Sequence, residues 1–112
     1  MNKYHNKKCF YKDMTFDSKK ERDYYIILEI MLKNKQITDL KTQVKFELQP
    51  SFKFNGKTIR SINYVADFTY MKDGKLIIVD TKGYRTEVYK LKKKMMQYKG
   101  LEIKEIWWEI SW

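Results

Sequence analysis

Residues 61–81 constrain this chain more than any other segment. Ser61 to Met71 and Lys75 to Thr81 read as two strands, and between them stands Asp73-Gly74, a dipeptide suited to the tight turn of a hairpin. A two-residue loop pairs Lys72 with Lys75 and, counted outward, Asp67 with Asp80. That position is a non-hydrogen-bonded pair, where side chains lie closest, at Cα separations of ~4.5 Å. Two carboxylates opposed in this way repel and weaken the sheet unless a cation or a shared proton sits between them. Side chains alternate along a strand, so Lys82 projects to the same side as Asp80 and brings an ammonium to the pair. A three- or five-residue loop with a bulge would shift the register, and spacing alone also fits an exposed hairpin face of solvated Asp and Lys.

The rest of the chain places this hairpin inside an α/β domain. Ser18 can cap a helix running to about Lys33, with Tyr24, Leu28, Met31 and Leu32, joined by Tyr25, as its apolar stripe. Thr42 to Leu48 alternates as a strand and stops at Pro50, and Ser51 to Ile59 is extended with a turn at Asn55-Gly56. A second helix is predicted from about Thr86 to Lys99, with Val88, Leu91, Met95 and Tyr98 on its apolar face and Gly100 at its end. Ile103 to Ile110 forms the last strand. A lone helix between the strand of Asp80 and this one implies a crossover onto a central mixed β-sheet flanked by helices. Residues 1–16 show no clear period and read as an N-terminal arm, packed loosely or reaching along a ligand, of a single domain spanning 1–112.

Charge narrows the partners. The formal net charge is +10, from 24 Lys+Arg against 14 Asp+Glu, a field that favours polyanions and nucleic acid first among them. A lysine-rich surface that only solubilises is the alternative. Cys9 is the single cysteine and cannot form an internal disulfide, and one Cys with one His, His5, is a poor basis for structural zinc. The N-terminus lacks an apolar signal region and nowhere do ~18 apolar residues run together, so a soluble, cytoplasmic protein without a membrane partner is expected.

The oxygen ligands of Asp67 and Asp80, with positions left open, suit Mg²⁺, for which Mn²⁺ can substitute. Lys82 would position the attacking water or stabilise charge on the phosphoryl group. Glu21 completes a capping box with Ser18, yet it also shares the stripe of Tyr24 and Leu28 and can point to the same site. Gln43 would orient a water or touch a phosphate, or is an ordinary polar strand residue. Arg85, Lys90 and Lys94 follow the hairpin closely enough to hold a nucleic-acid backbone. Trp107, Trp108 and Trp112 would pack in the core or a dimer, or stack on unpaired bases, and His5 is assigned no role.

Tyr64-Val65-Ala66-Asp67-Phe68 followed by Ile77-Ile78-Val79-Asp80-Thr81-Lys82-Gly83 resembles the PD-(D/E)xK nuclease signature, with Ala66 in place of the nominal proline. Phe16 to Glu21, Gln43 to Leu48 and Asp80 to Thr86 together extend the likeness over residues 16–106 to a small phage family of endonucleases, akin to archaeal Holliday-junction resolvases and the TnsA transposition endonuclease. The resemblance implies a restriction-endonuclease-like core of order αβββαβ. It also implies Mg²⁺ held by Asp67, Asp80, the Thr81 carbonyl and Glu21, with Lys82 assisting the water that cuts DNA and leaves a 5′-phosphate. A role in phage recombination or replication, on branched DNA and as a homodimer, follows from the same kinship. The competing readings are a non-catalytic nucleic-acid-binding module and a structural subunit of a phage assembly.

Overall fold

The computed structural model describes residues 8–82 and 84–107. In chain order the elements are β1 (Cys9–Tyr11), β2 (Met14–Phe16), α1 (Lys19–Lys33), β3 (Thr38–Gln49), β4 (Phe52–Phe54), β5 (Lys57–Ile59), β6 (Ile62–Lys72), β7 (Lys75–Lys82), α2 (Glu87–Tyr98) and β8 (Ile103–Trp107). Four strands make the central sheet in the order β3-β6-β7-β8. The first three are antiparallel neighbours and β7 runs parallel to β8, so the sheet is mixed. A parallel pair needs a crossover, which α2 supplies.

Each helix starts where its sequence provides an acceptor. Ser18 is extended, and its Oγ accepts the Glu21 N–H at 3.0 Å; Thr86 does the same for the Tyr89 N–H at 3.0 Å. The first helix buries Glu21, Tyr24 and Leu28, spaced to share one face. It packs with Phe16, Ile37, Phe68, Tyr70 and Val79 on one side of the sheet. On the other side Tyr89 and Met96 of α2 pack with Leu48, Tyr64, Ala66, Ile78 and Ile103.

This second core corrects the face expected of α2. Of the expected stripe Met95 packs against this core, but Val88, Leu91 and Tyr98 are exposed, whereas Tyr89 and Met96 are buried and Lys93 is half-buried. The helix is rotated because Tyr89 and Lys93 both reach Glu105 of β8, at 2.6 Å and 3.2 Å, and this polar anchor sets which face meets the sheet. Residues 9–16 are also not a loose arm. Cys9↔Phe16 and Tyr11↔Met14 pair in a hairpin whose Tyr11, Met14 and Phe16 join the core under α1. The first long strand extends beyond the expected Thr42 to Leu48 at both ends. The last strand is described to Trp107; Trp108, Trp112 and His5 lie outside the described residues.

One irregularity positions the site. Adjacent Ile78 and Val79 belong to opposite cores, as alternation along β7 requires. In β6, however, Tyr64 and Ala66 join the α2 core while Phe68 and Tyr70 join the α1 core, although all four share one parity. The pleat therefore reverses at Asp67. Across the ladder, between Thr42↔Phe68 and Val44↔Ala66, Gln43 adopts φ 52, a left-handed conformation uncommon for a residue with a side chain.

Candidate active site

The hairpin register follows the sequence from Lys72↔Lys75 to Phe68↔Val79 and then the ladder stops. Asp67 and Asp80 are thus not the directly opposed ladder pair that the register predicts. With the pleat reversed, the Asp67 carboxylate turns into the gap, where its Oδ2 accepts from the Thr81 N–H at 2.8 Å and from Thr81 Oγ1 at 2.9 Å. A side chain here takes the place of a main-chain acceptor, and the strands open around it.

Asp80 is 5% exposed and held from two sides. Lys82 Nζ lies 3.1 Å from its Oδ1, and the Tyr64 hydroxyl donates to its Oδ2 at 2.5 Å. The Lys82 ammonium also sits 3.6 Å from the centroid of the Tyr89 ring, a cation–π contact that fixes its position. Burial, followed by the charge and hydrogen bonding of Asp67, pushes the Asp80 carboxyl up to about 7 despite the opposing pull of Lys82 and Tyr64. Burial likewise drives the Tyr64 hydroxyl upward, with the Asp80 charge adding to it. Asp67, Asp80, Lys82, Tyr64 and Tyr89 line one cleft of about 350 Å³ with Asn63, Val65, Thr86, Val88 and Lys92.

Glu21 approaches this group from the first turn of α1. Its carboxylate accepts from Gln43 Nε2 at 3.3 Å and is steadied by the Asp17 backbone, one residue before the cap, so the capping interaction expected of it takes a modified form. Burial first, then the charge of Asp67, raises this carboxyl to about 8. Gln43 therefore meets Glu21 on the side of a smaller hollow lined by Met14, Phe16, Asp17 and Thr42.

Among the described residues, no three Asp, Glu, His or Cys side chains gather as a ready-made metal cage. The donor set nonetheless fits a divalent ion of the Mg²⁺ kind, which takes one or two carboxylates and keeps several waters. Burial raises the Asp80 and Glu21 carboxyls first and the charge of Asp67 adds to each, so a cation held between Asp67 and Asp80 would favour their ionised forms. Asp67 and Asp80 are the two carboxylates in the cleft; Thr81 links them through the strand, its N–H and hydroxyl committed to Asp67.

The basic residues are arranged differently from expectation. Arg85 is bound to Glu105 Oε1 at 2.6 Å and lies 5.1 Å from the Trp107 ring, so a half-buried carboxylate holds the group expected to touch phosphate. Lys90 pairs with Glu87 at 2.9 Å on the exposed side of α2, and Lys94 lines a separate hollow with Leu48, Met95 and Tyr98. Lys92 is the α2 lysine that lines the acidic cleft. The Val88-Leu91-Met95 stripe turns Lys90 and Lys94 toward the ligand side instead, and the helix is rotated from that arrangement. Glu105 carries no local signal at all: its partners Arg85, Tyr89 and Lys93 come from a preceding turn and helix. Those three interactions outweigh burial and hold its carboxyl below the ordinary glutamate range.

Fold and site together define a mixed α/β domain in which two aspartates and a lysine share a cleft at the opened end of a hairpin. The chain belongs to the DUF1064 family, described as a protein of unknown function, whose family model matches residues 1–111. Comparison with curated proteins and with solved structures found no match.

Proposed function

We propose that this protein is a Mg²⁺-dependent endodeoxyribonuclease of the PD-(D/E)xK type. The observation that carries the reading is the convergence of Asp67, Asp80 and Lys82 on one cleft, with Lys82 held 3.1 Å from Asp80. Without the two small hairpins the element order is α, β, β, β, α, β, the order of the restriction-endonuclease-like core. A net charge of +10 matches a polyanionic substrate.

Asp67 and Asp80, with the Thr81 carbonyl, would hold the ion. Bound there, Mg²⁺ supplies Lewis-acid polarisation of the phosphoryl oxygen and a more acidic water. The chain's own groups do the rest. Tyr64 and Lys82 fix the orientation of Asp80, and the Tyr89 ring keeps the Lys82 ammonium at the cleft, where it can orient the attacking water and balance charge developing on phosphate. Lys92 offers a phosphate contact at the cleft wall. Glu21 is the outlying carboxyl, turned toward Gln43 and adjusting the charge of the cluster. DNA is the substrate in this reading, and a branched form in phage recombination or replication is its most specific version.

The test is cleavage of labelled duplex, single-stranded and four-way-junction DNA with Mg²⁺, Mn²⁺ or EDTA. Asp80→Asn and Lys82→Ala are each expected to lose at least ~100-fold in rate, the scale of removing a group that stabilises the transition state. Equal cutting by both variants would remove these residues from the chemistry. Salt-sensitive DNA binding with no cutting under either metal would leave a non-catalytic nucleic-acid-binding module.

A further inference from the structure

The short strands β4 and β5 form an arm whose chemistry the cleft does not use. Phe52↔Ile59, Lys53↔Thr58 and Phe54↔Lys57 keep the same offset as Gln49↔Ile62, so the arm prolongs the ribbon of β3 and β6 past Pro50. Asn55 and Gly56, at φ 50 and 77, close its tip with a turn that needs two left-handed residues. All six strand residues of the arm are exposed. A two-stranded ribbon alone is marginal in water, and nothing on this one is spent on a core.

Pairing sorts the exposed side chains. Phe52, Phe54 and Ile59 share one face with Lys57 opposite Phe54, while Lys53 and Thr58 occupy the other face and Arg60 follows. Phe54 is 62% exposed and Phe52 43%. No acidic residue occurs between Glu47 and Asp67, and among the described residues no carboxylate pairs with Lys53, Lys57 or Arg60. The arm is thus uniformly cationic, with phenylalanines set between its lysines.

Its position ties it to the cleft. The same strand that leaves the arm lines the cleft through Asn63, Tyr64 and Val65 and then carries Asp67. From Ile59 to Asn63 is four residues, or about 13 Å of extended chain. A polyanion lying in the cleft is therefore within reach of the arm.

We propose that this arm is a nucleic-acid-binding element in which Phe52 and Phe54 stack on unpaired bases while Lys53, Lys57 and Arg60 hold the adjoining phosphates. Charge selects a polyanion over an apolar protein groove. The flat exposed rings select unpaired bases over a duplex, whose base faces already stack on one another. The inference rests on DNA as the substrate proposed above and deepens it, naming single-stranded or branched DNA as the preferred form.

The test is anisotropy of labelled single-stranded, duplex and four-way-junction DNA, with EDTA present so that nothing is cut, over a series of salt concentrations. Phe52→Ala/Phe54→Ala should weaken single-strand and junction binding about tenfold or more and duplex binding far less. Lys53→Gln/Lys57→Gln/Arg60→Gln should weaken all forms and flatten the dependence of log K on log salt by about two to three. Both variants alter exposed residues, and their unfolding transitions should match the wild type. Wild-type affinity in either variant overturns the proposal, as does an equal loss from the phenylalanine variant on duplex and single strand. A wild-type mass of two chains that falls to one in the phenylalanine variant also overturns it, because the aromatic face would then be covered by a second copy. Arm-dependent binding by a protein that never cuts with Mg²⁺ sinks the nuclease reading and leaves the arm; metal-dependent cutting with arm variants indistinguishable from wild type does the reverse.

Discussion

The two ends of the β6–β7 hairpin are built on opposite principles. From Lys72↔Lys75 to Phe68↔Val79 every position is paired, and Phe68, Tyr70, Ile78 and Val79 are buried among hydrocarbon. One residue further the ladder stops, the pleat reverses, and the space is taken by Asp67, Asp80 and Lys82. The turn end stabilises the strands; the open end uses that stability to hold buried carboxylates beside the left-handed Gln43 of the neighbouring β3. Adjacent residues should therefore behave differently when changed. Phe68→Ala is expected to cost ~3–5 kcal/mol in denaturant unfolding, the scale for truncating a buried phenylalanine. Asp67→Asn should stay within about 1 kcal/mol of wild type, since its amide oxygen can still accept from Thr81. A loss at Asp67 as large as that at Phe68 would make the open end structural and erase the contrast.

Protons sharpen the same comparison. Glu21 moves from an ordinary 4.5 to about 8 on folding and Asp80 from 3.8 to about 7. Between those limits the native state binds more protons than the unfolded chain. The stability they contribute is complete below their unfolded values and is lost as pH rises through about 7 and 8. Glu105 acts in the other direction: its depressed carboxyl contributes stability above its unfolded value and loses it on acidification. In EDTA the unfolding midpoint should thus decline from mildly acidic to mildly alkaline pH. Mg²⁺ should recover the alkaline loss, and Asp67→Asn should reduce the slope by removing a charge that raises both carboxyls. A midpoint that stays flat across this window, with and without Mg²⁺, would mean the open end holds no such strain.

What the sequence discloses divides along the same line. The turn, the register as far as Phe68↔Val79 and the start of α1 at Ser18 depend on neighbours in the chain, and Asp73-Gly74 or Ser18 announces each of them. The residues of the cleft were legible too, because Asp67, Asp80 and Lys82 stand at fixed offsets in two strands. Their arrangement was not. Tyr64, Ala66, Phe68 and Tyr70 read as one apolar face, and only packing between α1 and α2 divides them between two cores. The hairpin of β1 and β2 turns at Lys12, φ 56, without Gly or Pro, so no local signal marks it. Arg85 has no partner visible in its own segment, because Glu105, twenty residues away, meets it only in the fold.

The rotation of α2 provides the finest comparison, between two faces of one helix. Tyr89 is buried, donates to Glu105 at 2.6 Å and supports Lys82 with its ring, whereas Leu91, two residues on, is 58% exposed. Tyr89→Phe keeps the ring and removes the hydroxyl, leaving Glu105 with Arg85 and Lys93; the loss should be about 2 kcal/mol, the scale of a hydrogen bond to a charged group. Leu91→Lys should change stability by no more than about 0.5 kcal/mol, as for a surface position away from any polar network. Unfolding curves at two protein concentrations check both. A concentration-independent loss of several kcal/mol at Leu91 would restore the Val88-Leu91-Met95 stripe to the core and overturn the rotation described above. A loss that grows with protein concentration would instead place Leu91 in a contact between two chains, and the exposed side of α2 would be the surface on which they meet.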